Sequence, residues 1–368
     1  MVLRPLTQGS QLWVFLLIFL FVLVITFFQF KFVRLEESKN LLEATIARLQ
    51  SANNLRALTL ETEPPLILKK KKRVRNDDET IIIYNRVPKT ASTSFVNVAY
   101  DLCKKNGFNV LHLNVTGNLH VMSIADQARF VYNVTHWEAK KPGLYHGHIA
   151  FIDFDKFGSS QKPVYINILR KPLDRLVSYY YFLRYGDNYR PHLVRRKHGD
   201  KMTFDECVKK KQADCNPDNM WLQIPFLCGH APECWEIGNE WALNQAKHNL
   251  ATRYLLVGVT EQLPEFIAML EATLPSFFKG AYQHFKYSKK AHLRRTNQKM
   301  EPNNDTIREI QHSKVWKMEM ELYDFAVKHF EYLKKKFGKK DGDIVDKGLK
   351  MIFPYLRNSV LVVLHQLP

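Results

Sequence analysis

The chain has 368 residues, enough for one large α/β domain with appendages. Lysine and arginine number 54 against 36 acidic residues, a formal charge of +18. Such a balance argues for an acidic partner and does not choose between nucleic acid, an anionic membrane and a polyanionic glycan.

Residues 1–11 read as a short tail. Residues 12–28 are an apolar run broken only by Thr26, with Trp13 near one edge and Lys31 and Arg34 beyond the other. The run reads as a single-pass transmembrane signal anchor. A cleaved signal peptide fits less well: the run exceeds a usual h-region, its side chains are large, and no A-x-A-like site follows. Residues 29–79 read as a stem. Leu35, Leu42 and Leu49 form a short heptad seam that suits association of two or three chains, with a lone amphipathic helix as the alternative. A linker follows, carrying the basic block Lys69-Lys70-Lys71-Lys72-Arg73-Val74-Arg75.

A globular domain is expected over 80–343. Strand-like runs fall at 81–85, 109–112, 164–169 and 254–260, and helix-like runs at 95–105, 124–133, 173–184, 261–274 and 307–336. Strands alternating with helices predict an α/β fold with a mostly parallel sheet covered on both faces. The stretch 185–238, rich in charge, tryptophan and cysteine, reads as an insertion.

The first strand runs into Pro88-Lys89-Thr90-Ala91-Ser92-Thr93-Ser94 and then a helix. A strand, a hydroxyl-rich loop with one lysine and a helix start make a phosphate cradle, because unpaired N–H groups and the helix dipole favour an anion there. An ordinary Ser/Thr N-cap beside a surface lysine fits the same residues. The loop lacks both glycines of the nucleotide-kinase motif G-x-x-x-x-G-K-[ST]. Further on, a strand ends at Arg170 and a helix opens at Pro172, with Ser178 about two turns in. An arginine at a strand's C-terminal end beside a helix serine can hold a second phosphate.

Tyr145-His146-Gly147-His148 offers two histidines that would share one face of a strand, with a glycine that permits close backbone approach. Histidine takes a proton near neutral pH; metal binding or a structural role are the alternatives. Tyr179-Tyr180-Tyr181-Phe182-Leu183-Arg184, Arg190, Arg195, Arg196, Lys197 and His292-Leu293-Arg294-Arg295-Thr296 form a basic and aromatic set suited to sulfate and carboxylate groups, or simply a solvated face.

Four of the five cysteines lie in close pairs, Cys207 with Cys215 and Cys228 with Cys234. With no zinc-spaced His/Cys cluster around them, they read as disulfides of an oxidising compartment, leaving Cys103 as a buried free thiol. N-x-[ST] sequons stand at Asn114, Asn133 and Asn304. Anchor, pairs and sequons together place the domain in the secretory lumen.

Together these residues resemble the heparan sulfate 2-O-sulfotransferases. The likeness runs from about Ile82 to Asp343. It includes Tyr84-Asn85-Arg86-Val87-Pro88-Lys89-Thr90-Ala91-Ser92-Thr93-Ser94, Ala99-Tyr100-Asp101-Leu102-Cys103, the His-Gly-His and Leu176-Val177-Ser178-Tyr179-Tyr180-Tyr181-Phe182-Leu183-Arg184. Trp221-Leu222-Gln223-Ile224-Pro225-Phe226 and Val257-Gly258-Val259-Thr260-Glu261 also match.

The resemblance implies a single P-loop-like sulfotransferase domain on a Golgi type II membrane protein. It implies 3′-phosphoadenosine 5′-phosphosulfate as donor and the 2-hydroxyl of iduronic, less often glucuronic, acid in heparan sulfate as acceptor. It implies that Lys89, Thr90, Ala91, Ser92, Thr93 and Ser94 hold the 5′-phosphosulfate, that Arg170 and Ser178 hold the 3′-phosphate, and that Thr296 lies near the nucleotide. His148 would be the general base with His146 assisting. Arg86, Tyr100, His112, Arg190, Arg195 and Arg294 match glycan-contacting positions. A homotrimer is implied, and the scheme calls for no metal.

Two features depart from the pattern. Lys171 stands where the family has aspartate, and 344–368 is unlike the family's tail, which helps build a neighbouring subunit's site. Rival readings are a uronyl 2-O-sulfotransferase of dermatan or chondroitin sulfate and a catalytically silent glycan-binding protein. A nucleic-acid binder is disfavoured by the anchor, sequons and cysteine pairs. A kinase is disfavoured by the missing glycines.

Overall fold

A computed structural model describes residues 19–29, 31–33, 36, 77–114, 119–287, 296 and 298–337. Residues 19–29, overlapping the expected anchor at 12–28, are helical and exposed. Among the described residues no helix is long and apolar enough to cross a membrane. The heptad leucines, the basic block, Arg294 and the 344–368 tail lie outside the described residues.

Five parallel strands form the sheet: β1 Ile81–Asn85, β2 Asn109–Leu113, β3 Gly143–Gly147, β4 Val164–Leu169 and β5 Tyr254–Val259, in the order β2-β3-β1-β4-β5. All side chains of β1, β3, β4 and β5 are buried. That is why they read as near-continuous apolar runs rather than alternating ones. Alternation decides which core each enters. Ile81, Ile83, Tyr145 and Tyr165 pack in one, Ile82, Tyr84, Leu144 and Ile166 in the other.

Helices α1 Ser92–Asn106, α2 Ile124–His136 and α3 Pro172–Tyr185 follow β1, β2 and β4. Then come α4 Phe204–Lys209, α5 Gln223–Cys228, α6 Glu240–Thr252, α7 Leu263–Thr273, α8 Pro275–Phe278, α9 Ala281–Tyr287, α10 Asn304–Gln311 and α11 Lys314–Phe337. The single helix expected over 307–336 is two, because Ser313 accepts a hydrogen bond from the Trp316 amide at the second start. Met318 and Leu322 of α11 pack in the first core, and Phe330 and Leu333 in the second.

The stretch 185–238, expected as an insertion, contributes to the core. Met220, Ile224 and Phe226 are fully buried in the first core, and the Phe226 carbonyl accepts from the Asn85 amide group and the Phe151 N–H. Disulfides Cys207–Cys215 and Cys228–Cys234 are formed, and Cys103 is free but half-buried rather than buried. Asn133 and Asn304 are exposed on α2 and α10, and Asn114 is exposed just after β2.

A buried polar knot ties the C-terminal ends of β1 and β4 to β5. Asn167 Nδ2 donates to both the carbonyl and the side-chain oxygen of Asn85, which also accepts from the Tyr254 hydroxyl at 3.0 Å. Asn85→Ala strands these partners in the core. It is expected to destabilise the domain by about 2–4 kcal/mol, read as a lower denaturation midpoint with unchanged slope.

Candidate active site

The strand order reverses beside β1: the chain moves to β2 and β3 on one side, then to β4 on the other. In open α/β sheets the crevice at the C-terminal ends of the strands around such a reversal receives ligands. The loops after β1, β3 and β4 all open there.

The loop after β1 carries two non-glycine residues with left-handed backbone, Lys89 at φ 68° and Ala91 at φ 55°. Such conformations are held against strain by their surroundings and gather at functional sites. Ala91 is the N-cap of α1 and offers no side-chain cap to its N–H groups. An anion can complete that helix terminus. Thr90 is fully buried and its hydroxyl donates to the Val87 carbonyl, bracing the loop from inside.

Lys89, Ala91, Ser92, Thr93, Ser94, Arg170 and Ser178 line one cavity of about 130 Å³. All seven were named from the sequence as donor-binding residues, and Thr90 and Thr296, named with them, do not line this cavity. The Thr296 hydroxyl donates to the Gly186 carbonyl at 2.9 Å, tethering the end of α3. Arg170 Nη1 donates to the Lys89 carbonyl at 3.3 Å, joining the two halves of the cradle. Hydroxyls, N–H groups and two cations around one hollow suit a phosphorylated nucleotide.

Phe182, part of the basic and aromatic run on α3, lies four residues after Ser178 on the same face. Its ring carries the Lys89 ammonium at 4.1 Å and the Arg195 guanidinium at 4.2 Å from its centroid. Cations over an aromatic face are held by its quadrupole.

The histidines part company. Strand β3 ends at Gly147, so His148 lies just past it rather than on a shared strand face. Gly147 is required by the neighbouring strand, since a Cβ there would meet the Leu113 carbonyl oxygen at 2.7 Å. His146 is 3 % exposed, with Tyr100 Oη hydrogen-bonded to its Nε2 at 3.0 Å. Burial, then the charge of Arg86, pushes its pKa down to about 3. His148 is half-buried, and its Nδ1 lies 2.8 Å from the Arg86 carbonyl. A carbonyl only accepts, so Nδ1 carries a proton, and in the neutral tautomer Nε2 is the nitrogen able to take one.

His112 stands opposite His146 in register, with rings 5.1 Å apart, and Arg86 Nη2 is 3.4 Å from its Nε2. Burial lowers the pKa of His112, helped by Arg86 and Arg190. Arg86, Tyr100, His112 and Arg190 thus form a basic wall around the histidines. Among the described residues no cluster suited to a metal ion is present.

These depressed histidines make stability pH-dependent. His146 stays neutral in the fold to about pH 3 but takes a proton near pH 6.5 once unfolded, so its contribution is complete above about 6.5 and declines below it. By about pH 5 the loss from His146 alone is roughly 2 kcal/mol, with a further loss from His230, held near pH 4 by burial. The Tm should fall between pH 7 and pH 5, and the fall should shrink in His146→Phe. A flat profile would contradict the buried neutral state.

A sulfotransferase-family profile matches residues 72–326. The heparin sulfate O-sulfotransferase of Drosophila melanogaster is 60% identical over 271 residues, 74% of this chain and 78% of that protein. Heparan sulfate 2-O-sulfotransferase 1 of Gallus gallus is 51% identical over 330 residues, 89% of this chain and 91% of its own. The Homo sapiens protein of the same name is 51% identical over 325 residues, covering 88% and 90%. The chain belongs to the sulfotransferase family.

Proposed function

We propose that this member of the sulfotransferase family transfers the sulfuryl group of 3′-phosphoadenosine 5′-phosphosulfate to the 2-hydroxyl of hexuronic acid, chiefly iduronate, in heparan sulfate. The observation that carries the reading is the cavity walled by Lys89, Ser92, Thr93, Ser94, Arg170 and Ser178, which suits a phosphorylated donor, with His148 Nδ1 held by the Arg86 carbonyl at the end of the neighbouring strand. The relatives named for this activity cover most of the chain and support the same reading.

In the proposed reaction His148 Nε2 takes the hydroxyl proton. The freed oxygen bonds to sulfur as the sulfur–oxygen bond to the 5′-phosphate breaks. Lys89 and the N–H groups at the start of α1 stabilise the charge that develops on the leaving phosphate. Arg170 and Ser178 hold the 3′-phosphate. Arg86, Tyr100, His112, Arg190, Arg195 and Arg294 receive the glycan, whose sulfates and carboxylates match their charge. His146, buried and neutral, positions Tyr100 rather than moving protons. A single-pass anchor at 12–28, a Golgi lumenal domain with glycosylated sequons, and a homotrimer joined through the stem complete the proposal.

The purified full-length chain, given labelled donor and a panel of desulfated heparan, dermatan and chondroitin chains, should sulfate heparan preferentially. Preference for dermatan would move the acceptor assignment, and no transfer to any chain would favour a silent binder. Arg195→Ala is expected to raise the glycan KM by about five- to tenfold and to weaken its salt dependence, because an ionic contact is screened by salt. Unchanged values in both would place Arg195 outside the glycan path.

A further inference from the structure

Arg170 and Lys171 sit where β4 turns into α3, and their backbone N–H groups do not point to other backbone. The Arg170 N–H donates to Gln223 Oε1 at 2.9 Å. Gln223 is fully buried, and its Nε2 donates to Glu319 Oε2 at 3.1 Å. Glu319, also fully buried, accepts from the Leu222 and Ile224 N–H groups through its other oxygen. Next to this relay, the Lys171 N–H donates to Glu261 Oε1 at 3.2 Å, and Glu261 Oε2 accepts from the Tyr323 hydroxyl at 3.0 Å. Glu319 and Tyr323 lie four residues apart on one face of α11.

The polarity of the inner relay is fixed throughout. The Arg170 N–H can only donate, so the Gln223 amide must turn its oxygen to Arg170 and its NH₂ to Glu319. Three N–H groups then converge on Glu319, which suits a carboxylate. A buried carboxylate is kept only where such donors and a cation compensate its desolvation. Burial raises the pKa of Glu319, opposed by the charge of Arg175, 2 % exposed on α3, and by the three N–H groups.

We propose that Gln223 and Glu319 are positioning residues of the donor site: they fix the Arg170 peptide so that its side chain meets the 3′-phosphate. The inference rests on the reading of Arg170 as a 3′-phosphate ligand. Neither residue lines the cavity, and both are fully buried. Their effect passes through Arg170 and, by its bond to the Lys89 carbonyl, reaches the loop that holds the 5′ end.

Glu319→Gln separates this role from simple support of the fold. The new amide oxygen still accepts from Leu222 and Ile224, but its NH₂ faces the NH₂ of Gln223. If Gln223 flips to relieve that clash, it presents NH₂ to the Arg170 N–H. Either way one buried donor is mispaired. Adding Gln223→Glu restores every pair with the same net charge: Glu at 223 accepts from Arg170 and from the amide at 319.

The readout is calorimetric affinity of the full-length chain for 3′-phosphoadenosine 5′-phosphate relative to adenosine 5′-phosphate, a ratio that isolates the 3′-phosphate. Glu319→Gln should lower the ratio by about tenfold, the scale of one mispaired buried hydrogen bond, and the double variant should restore it to within about twofold. A merely structural role would weaken both nucleotides alike and leave the ratio unchanged. If Arg170→Ala collapses the ratio while Glu319→Gln preserves it, the inference is overturned. A folded double variant with a collapsed ratio overturns it equally, even where Glu319→Gln alone is insoluble. An unchanged ratio in Arg170→Ala removes the 3′-phosphate reading itself, and the inference with it.

Discussion

His148→Ala should lower kcat by about 10²- to 10⁴-fold, the usual contribution of a positioned general base. Affinity for 3′-phosphoadenosine 5′-phosphate should stay close to that of the parent, because His148 is not among the residues lining the phosphate cavity. The neighbouring histidine cannot take over. A base whose pKa is pushed to about 3 draws a proton from a sugar hydroxyl poorly, and His146 Nε2 is already engaged with Tyr100. His146→Ala should therefore cost less turnover than His148→Ala and leave the acid limb of the kcat/KM profile at the same pH. Single-turnover transfer with saturating donor separates the two variants. Parent-like turnover in His148→Ala would remove it as the base.

Lys89→Met should lower kcat by about 10²- to 10³-fold, comparable to loss of one preorganised charge donor at a developing oxyanion. Methionine keeps an unbranched apolar stem against Phe182, so the comparison isolates charge from packing. The donor KM should rise less than kcat falls, since the charge on the leaving phosphate grows toward the transition state. A parent-like kcat with a raised KM would place Lys89 in uniform binding instead.

Much of this site was legible in the sequence because its residues cluster at strand ends. β1 and β4 carry the expected bounds, and β2 and β5 differ by a residue. The run from Lys89 to Ser94 and the Arg170–Ser178 pair meet in one cavity because the sheet reverses beside β1. β3 is not among the strand-like runs, although its histidines suggest a strand: Gly143 and Gly147 flank a run in which only Tyr145 is a strong strand former. Thr90 and Thr296 read as ligands, but a hydroxyl's choice between a backbone carbonyl and a phosphate is made by tertiary placement.

The relay from α11 was hidden for a different reason. Gln223, Glu261, Glu319 and Tyr323 are spread over about a hundred residues and carry no spacing of their own. The stretch around Gln223 reads as an insertion because it is rich in charge, tryptophan and cysteine. Its placement in the core follows from buried Met220, Ile224 and Phe226, a burial that composition does not reveal.

The most direct test is disaccharide analysis of desulfated, N-sulfated heparan treated with labelled donor and the full-length chain, beside the His148→Ala variant. Label confined to the uronic acid 2-hydroxyl, and absent with the variant, is the result expected. Label on glucosamine, or equal labelling by the variant, would contradict the assignment of this cavity and His148 to 2-O-sulfuryl transfer.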